Sequence, residues 1–132
     1  MIHGIGTDLC EIARMAKVLE RQGDGFAQKV LGPLEWPVFV SRQQPRPERA
    51  HAYLATRFAA KEAFCKATGL GFREPFRWHD MQVVSDALGR PSWTFSGPTH
   101  EWMTQRGLIA HLSLSDEAGL AMAFVTLEQR AG

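Results

Sequence analysis

Two acidic residues in this sequence have surroundings suited to chemistry. Asp8 closes a short, apolar, glycine-containing stretch, and Glu62 lies within Arg57-Phe58-Ala59-Ala60-Lys61-Glu62-Ala63-Phe64-Cys65-Lys66. Helical spacing puts Phe58, Glu62 and Lys66 on one stripe at i, i+4 and i+8, so Glu62 projects near an apolar face. A carboxylate held there needs a partner. Two readings follow from the residues. In one, Glu62 forms an i, i+4 ion pair with Lys66, worth only about 0.3–0.5 kcal/mol on an exposed helix. In the other, Asp8 and Glu62 together hold Mg²⁺, which takes hard oxygen ligands and is commonly bound by one or two carboxylates plus substrate phosphates. Arg57, Lys61 and Lys66 lie within a turn or so of Glu62 and supply the positive charge that a pyrophosphate substrate requires. Carboxylates beside cations in this way suit phosphoryl-type transfer.

Further features narrow the field. Arg14, Lys17 and Arg21 recur at i, i+3 and i+7 and make a basic ridge on one side of a helix, either a solvated face or a docking surface for an acidic partner. The run Phe72-Arg73-Glu74-Pro75-Phe76-Arg77-Trp78-His79 could stack single-stranded bases, but core packing is the simpler reading. Gly4-Ile5-Gly6 lacks the third glycine of a dinucleotide fingerprint; the pair is read as letting a strand pack closely against a neighbour. No histidine has a ligand-like spacing with another His or Cys, and Cys10 and Cys65 form no C-x-x-C pair, so a transition-metal site is not expected. His111 opens a strand-like segment, as an ordinary strand residue or as a phosphate donor.

These residues need elements to carry them. Residues 2–9 read as a strand delivering Asp8 at its end, and Ile12, Met15 and Leu19 mark a helix that stops at Gly23-Asp24-Gly25. A short helix over 26–31 and a segment over 34–40 follow, then an exposed connection over 41–49. The longest helix spans about 48–68 and ends at Gly69. Residues 72–79 stay unassigned. Strands over 81–85 and 92–96, a short helix over 99–106, and a hairpin over 110–115 and 120–127 with its turn near 116–119 complete the chain. The expected fold class is α+β, mainly antiparallel sheet packed against one long helix.

With 132 residues and 45% of them hydrophobic, the chain suits one domain, residues 1–132, with a core that needs no disulfide or metal staple. A net charge of +1 implies no general attraction to nucleic acid. No apolar run reaches the roughly 20 residues of a membrane span, and no secretory signal opens the chain, so no membrane partner and a cytoplasmic location are expected.

In chain order these segments resemble the holo-acyl-carrier-protein synthase family of 4'-phosphopantetheinyl transferases. Gly4-Ile5-Gly6-Thr7-Asp8-Leu9-Cys10-Glu11-Ile12-Ala13-Arg14 is similar to the family's opening signature, and residues 57–67 to its F-A-x-K-E-A-x-x-K-A helix; Leu88-Gly89-Arg90-Pro91 and the closing 111–117 segment also fall in place. The resemblance implies transfer of 4'-phosphopantetheine from coenzyme A to a serine of an acyl carrier protein, in fatty acid biosynthesis. It implies that Asp8 and Glu62 bind Mg²⁺, that Lys61 and Lys66 lie near the pyrophosphate and stabilise its charge, and that Arg57 and His111 reach phosphates of coenzyme A. It further implies that Arg14, Lys17 and Arg21 dock the acidic carrier protein, and that the molecule is a homotrimer with active sites between subunits. Many members carry His where this chain has Asp116, so no role is transferred to Asp116. Two other classes are distinguishable from this one. A non-catalytic protein-binding module would need no metal at Asp8, and a single-strand RNA binder would show salt-sensitive oligonucleotide affinity.

Overall fold

The computed structural model describes residues 1–131. Strand β1 (Ile2–Glu11) runs into helix α1 (Ile12–Gln22), followed by the short helices α2 (Gly25–Val30) and α3 (Trp36–Arg42) and the long helix α4 (Glu48–Thr68). A single 3₁₀ turn (Trp78–Asp80) precedes the hairpin β2 (Met81–Ser85) and β3 (Pro91–Phe95), then α5 (Gly97–Gln105), and the chain closes with β4 (Leu108–Glu117) and β5 (Leu120–Gln129). The expected α+β class holds. Two antiparallel sheets, one of order β1-β5-β4 and one of β2-β3, flank α4.

The period-2 pattern of β5 decides which face meets the helix: Ala121, Ala123, Val125 and Leu127 are buried, while Leu120, Met122 and Phe124 point outward. The helix comes closest to the sheet at β1. A Cβ on Gly4 would lie 1.9 Å from the carbonyl oxygen of Ala67, and one on Gly6 would lie 1.9 Å from that of Ala63. Gly4 and Gly6 are therefore what allow β1 to press on the helix backbone. The rest of α4 is buried by Leu54, Ala59, Ala63 and Phe64, with Phe64 at the centre of a ring cluster 5.0 Å from Phe95, 5.4 Å from Trp93 and 5.6 Å from Phe76. Full burial of a side chain such as Phe64 or Leu54 contributes about 1.5–3 kcal/mol. Gly69, at φ 83°, caps α4 by donating its N–H to Lys66 O, as its position after the last apolar repeat suggests.

Several boundaries differ from the sequence expectation. Strand β1 extends to Glu11, beyond residue 9, because its edge pairs with β5 as far as Leu120. The connection expected over 41–49 shrinks to 43–47, since α3 runs on to Arg42 and α4 begins at Glu48. The closing hairpin turns on only Ala118 (φ 55°) and Gly119 (φ 79°), the two positive φ angles of a two-residue type I′ turn. Residues 116–117, expected in the turn, are strand instead. The aromatic run folds inward, with Phe72 4.2 Å from Trp78, Trp78 stacked on Phe58 and Phe76 buried, so these ring faces are taken by the core and not left open to bases. Among the described residues no helix is long and apolar enough to cross a membrane.

Candidate active site

Along the inner face of β1, Gly4, Gly6, Asp8 and Cys10 alternate toward α4, which brings the Asp8 carboxylate over the helix turn that carries Glu62 and Lys66. The Lys66 ammonium donates to Asp8 Oδ1 at 2.9 Å and to the Thr7 carbonyl at 3.0 Å. Glu62 is half-buried. Burial raises its pKa above the ordinary carboxylate value and the neighbouring Asp8 charge raises it further, with Lys66 and Arg14 working against both. The two carboxylates thus feel one another across the gap between strand and helix. The i, i+4 pair of Glu62 with Lys66 does not form; Lys66 turns to Asp8.

This donor set suits one kind of cation. Asp8 and Glu62 offer hard oxygens from two separate elements, and no cluster of three or more His, Cys, Asp or Glu stands among the described residues. A pair of carboxylates suits Mg²⁺, which takes its remaining ligands from waters and substrate phosphates, and not a closed zinc site.

Lys61 leaves the group in which the sequence placed it. Its ammonium has no exposure and all three donors are used: Val30 O at 2.6 Å, Glu35 Oε1 at 2.6 Å and Trp78 O at 3.1 Å. Burial pulls its pKa below the ordinary lysine value while Glu35 opposes the shift. An ammonium saturated inside the protein cannot also neutralise a pyrophosphate. Successive helix residues are about 100° apart, so Lys61 and Glu62 project in different directions despite adjacency.

Arg57 points to the flank opposite Glu62 for the same reason. It is 7% exposed, and its Nη atoms donate to Thr56 Oγ1 at 3.2 Å and Ser85 Oγ at 3.3 Å. It lines a hollow of about 400 Å³ bounded also by Arg42, Tyr53, Ser85, Gly89 and Asp116. His111 lies elsewhere, on exposed β4, bonded through Nε2 to Glu128 Oε1 at 2.9 Å. That bond holds the Glu128 pKa below its usual value. His111 lines a second hollow of about 820 Å³ between β3 and β4, beside Arg90 and Arg130. One chain therefore brings Asp8, Glu62 and Lys66 together, and sets Arg57 and His111 in two separate hollows that do not include those three residues.

Arg14, Lys17 and Arg21 form the exposed side of α1, while Met15 is buried beneath them. The ridge begins next to the carboxylates, since Arg14 is close enough to act on Glu62. Glu35, Tyr53, Arg42 and Ser85 were not singled out from the sequence. Glu35 carried a readable signal: it is the lone charge between Val30 and Val40, and a carboxylate so placed needs a buried cation.

The chain is similar to known proteins over nearly its whole length. The family model of the 4'-phosphopantetheinyl transferase superfamily matches residues 4–125. The holo-[acyl-carrier-protein] synthase of Leptothrix cholodnii is 48% identical over 128 residues, 97% of each chain, and that of Variovorax paradoxus is 45% identical over 129 residues, 98% of this chain and 99% of its own. The crystal structure of the holo-[acyl-carrier-protein] synthase from Neisseria meningitidis superposes with a TM-score of 0.86 at 38% identity, covering 98% of this chain and 100% of that one. The Bacillus anthracis synthase, solved in complex with CoA (3',5'-ADP), gives 0.81 at 33% identity over 98% and 99%. With a matched region that takes in both the strand bearing Asp8 and the helix bearing Glu62, the chain belongs to the 4'-phosphopantetheinyl transferase superfamily.

Proposed function

We infer that this chain transfers the 4'-phosphopantetheine arm of coenzyme A to a serine of an apo-acyl carrier protein, releasing 3',5'-ADP, in the service of fatty acid biosynthesis. The observation that carries this is the near full-length likeness to holo-[acyl-carrier-protein] synthases, 45–48% identical, in a chain where the Asp8 charge acts on Glu62. Residues 1–132 act as one transferase domain in the cytoplasm.

Asp8 and Glu62 would hold Mg²⁺, which supplies charge neutralisation at the pyrophosphate when bound. The serine oxygen forms a bond to the β-phosphorus as the bond from that phosphorus to the oxygen of 3',5'-ADP breaks. Glu62, or a water held beside it, takes the serine proton. Lys66 stands beside Asp8 as the cation for the phosphates, a role that Lys61 cannot share from the interior. Arg57 and His111 serve the outlying phosphates, and the ridge of Arg14, Lys17 and Arg21 receives the acidic carrier protein.

Two observations support a homotrimer with active sites between subunits. The outer face of β1 and β5 exposes Ile5, Leu9, Met122 and Phe124 side by side, and such an apolar patch favours burial against another surface. His111 and Glu62 sit in separate places on one chain, as expected if one site draws residues from two copies. A monomeric mass in solution would remove this part of the reading.

The test is to incubate the protein with coenzyme A, Mg²⁺ and apo carrier protein and to weigh the carrier. Expected is the added arm, lost when the metal is chelated. No added mass overturns the function; transfer undiminished by chelation overturns only the metal.

A further inference from the structure

The Arg57 guanidinium is buried yet forms no ion pair among the described residues. Among the described residues its hydrogen-bond partners are two hydroxyls, and its Nε is buried without any partner. A desolvated cation in that state is held by something other than an ion pair. What holds it is the ring of Tyr53, one helical turn earlier on α4, with the guanidinium carbon 4.1 Å above the ring centroid. The same ring carries a second guanidinium, that of Arg42 from α3, at 5.0 Å.

Tyr53 is itself fixed. It is 2% exposed, and its hydroxyl donates to the Glu35 carbonyl at 3.3 Å. Glu35 in turn accepts from Gly32 N, Val83 N and Lys61, so the backbone that receives the Tyr53 hydroxyl is anchored to the loop before α3, to β2 and to α4. The buried Lys61–Glu35 pair thus ends, two contacts on, at a ring whose face meets two cations at the wall of one hollow. Both guanidiniums line that hollow, together with the carboxylates of Asp86 and Asp116, and the ring fixes where their N–H donors can meet an anion.

We propose that Tyr53 is a positioning residue for coenzyme A: its ring holds the guanidiniums of Arg57 and Arg42 in place before the substrate arrives, so that Arg57 meets a phosphate without having to be ordered first. This rests on the reading that Arg57 contacts a phosphate of coenzyme A. Ring and cation act as a unit, so Tyr53 affects coenzyme A through Arg57 and leaves the reacting atoms at Asp8 and Glu62 untouched.

The experiment compares Tyr53→Phe, Tyr53→Met, Arg57→Ala, the double variant of the last two, and a protein with pentafluorophenylalanine at position 53, which keeps the ring shape but reverses its attraction for cations. Expected are a wild-type KM for coenzyme A in Tyr53→Phe, a rise of roughly tenfold in Tyr53→Met and in the fluorinated protein with kcat and the KM for carrier protein preserved, and no further rise when Tyr53→Met is added to Arg57→Ala. The fluorinated protein decides the matter should Tyr53→Met fail to fold. If Arg57→Ala raises the KM while the fluorinated protein matches Tyr53→Phe, the role of Tyr53 is overturned and the reading of Arg57 stands. If Arg57→Ala leaves the KM unchanged, the reading of Arg57 falls and the role of Tyr53 falls with it.

Discussion

Lys61 Nζ lies 2.6 Å from Glu35 Oε1 with neither side chain exposed, and this pair joins α4 to the loop that enters α3. Breaking such a pair leaves one charge buried alone, which costs about 3–5 kcal/mol, whereas replacing both partners by apolar groups is far less costly. Lys61→Met and Glu35→Leu should each lower the denaturant midpoint sharply, and the double variant should recover most of the loss. Whatever protein remains folded in Lys61→Met should turn over with a near-normal kcat. A stable Lys61→Met protein with a collapsed kcat would return Lys61 to the reaction.

The close packing of β1 on α4 gives a second measurement. Gly6→Ala sets a Cβ 1.9 Å from a helix carbonyl, an atom that cannot swing aside, and should destabilise by about 1–3 kcal/mol or more. Gly25→Ala is the contrast, because nothing lies within 4 Å of the added carbon and the position is helical. That change should stabilise by about 0.4–1 kcal/mol. Equal unfolding midpoints for the two variants would mean that the strand does not press on the helix as described.

Glu62 links stability to pH. Because burial and then Asp8 raise its folded pKa, its ionisation opposes folding: the stability it contributes is present below the unfolded carboxylate value and lost as pH rises through the folded one. In metal-free buffer at neutral pH, Glu62→Gln should therefore raise Tm, with the gain shrinking as pH falls from the raised folded value toward the unfolded one and gone below about 4. The same variant, like Asp8→Asn, should lose transfer by on the order of 100-fold or more. A Tm at pH 7 equal to or below that of the parent would show that the carboxylate is not held in an unfavourable place.

Much of this arrangement was legible because it follows local periodicity. The length of α4, its end at Gly69, the strand that presents Asp8 and the close-packing role of Gly4 and Gly6 all follow from spacing, turn chemistry and the lack of a side chain. What escaped was direction. Lys61, Glu62 and Arg57 are neighbours in sequence, but the axial rotation of a helix sends them to the interior, to β1 and to a hollow bounded by α3 and β2. Which of the three meets water depends on Glu35, 26 residues before Lys61. No spacing rule pairs residues so far apart. The Tyr53 stack was hidden for the same reason, since its second cation, Arg42, comes from another helix.

The ridge on α1 offers the last test. Arg14, Lys17 and Arg21 are all exposed, none is used by the core, and Arg14 acts on Glu62 from the near end of the row. A partner led along this row would therefore arrive at the carboxylates. Exposed charges of this kind govern encounter rate and salt dependence more than the chemical step. Reversing Arg14 and Arg21 to Glu should raise the KM for an acidic carrier protein by roughly tenfold or more, leave the KM for coenzyme A near its parent value, and flatten the fall of kcat/KM with added salt. Arg14→Gln with Arg21→Gln should give an intermediate result, because neutralisation removes attraction without adding repulsion. An unchanged carrier-protein KM and an unchanged salt slope in the Glu variant would make the row an ordinary solvated helix face and move the docking surface elsewhere on the molecule.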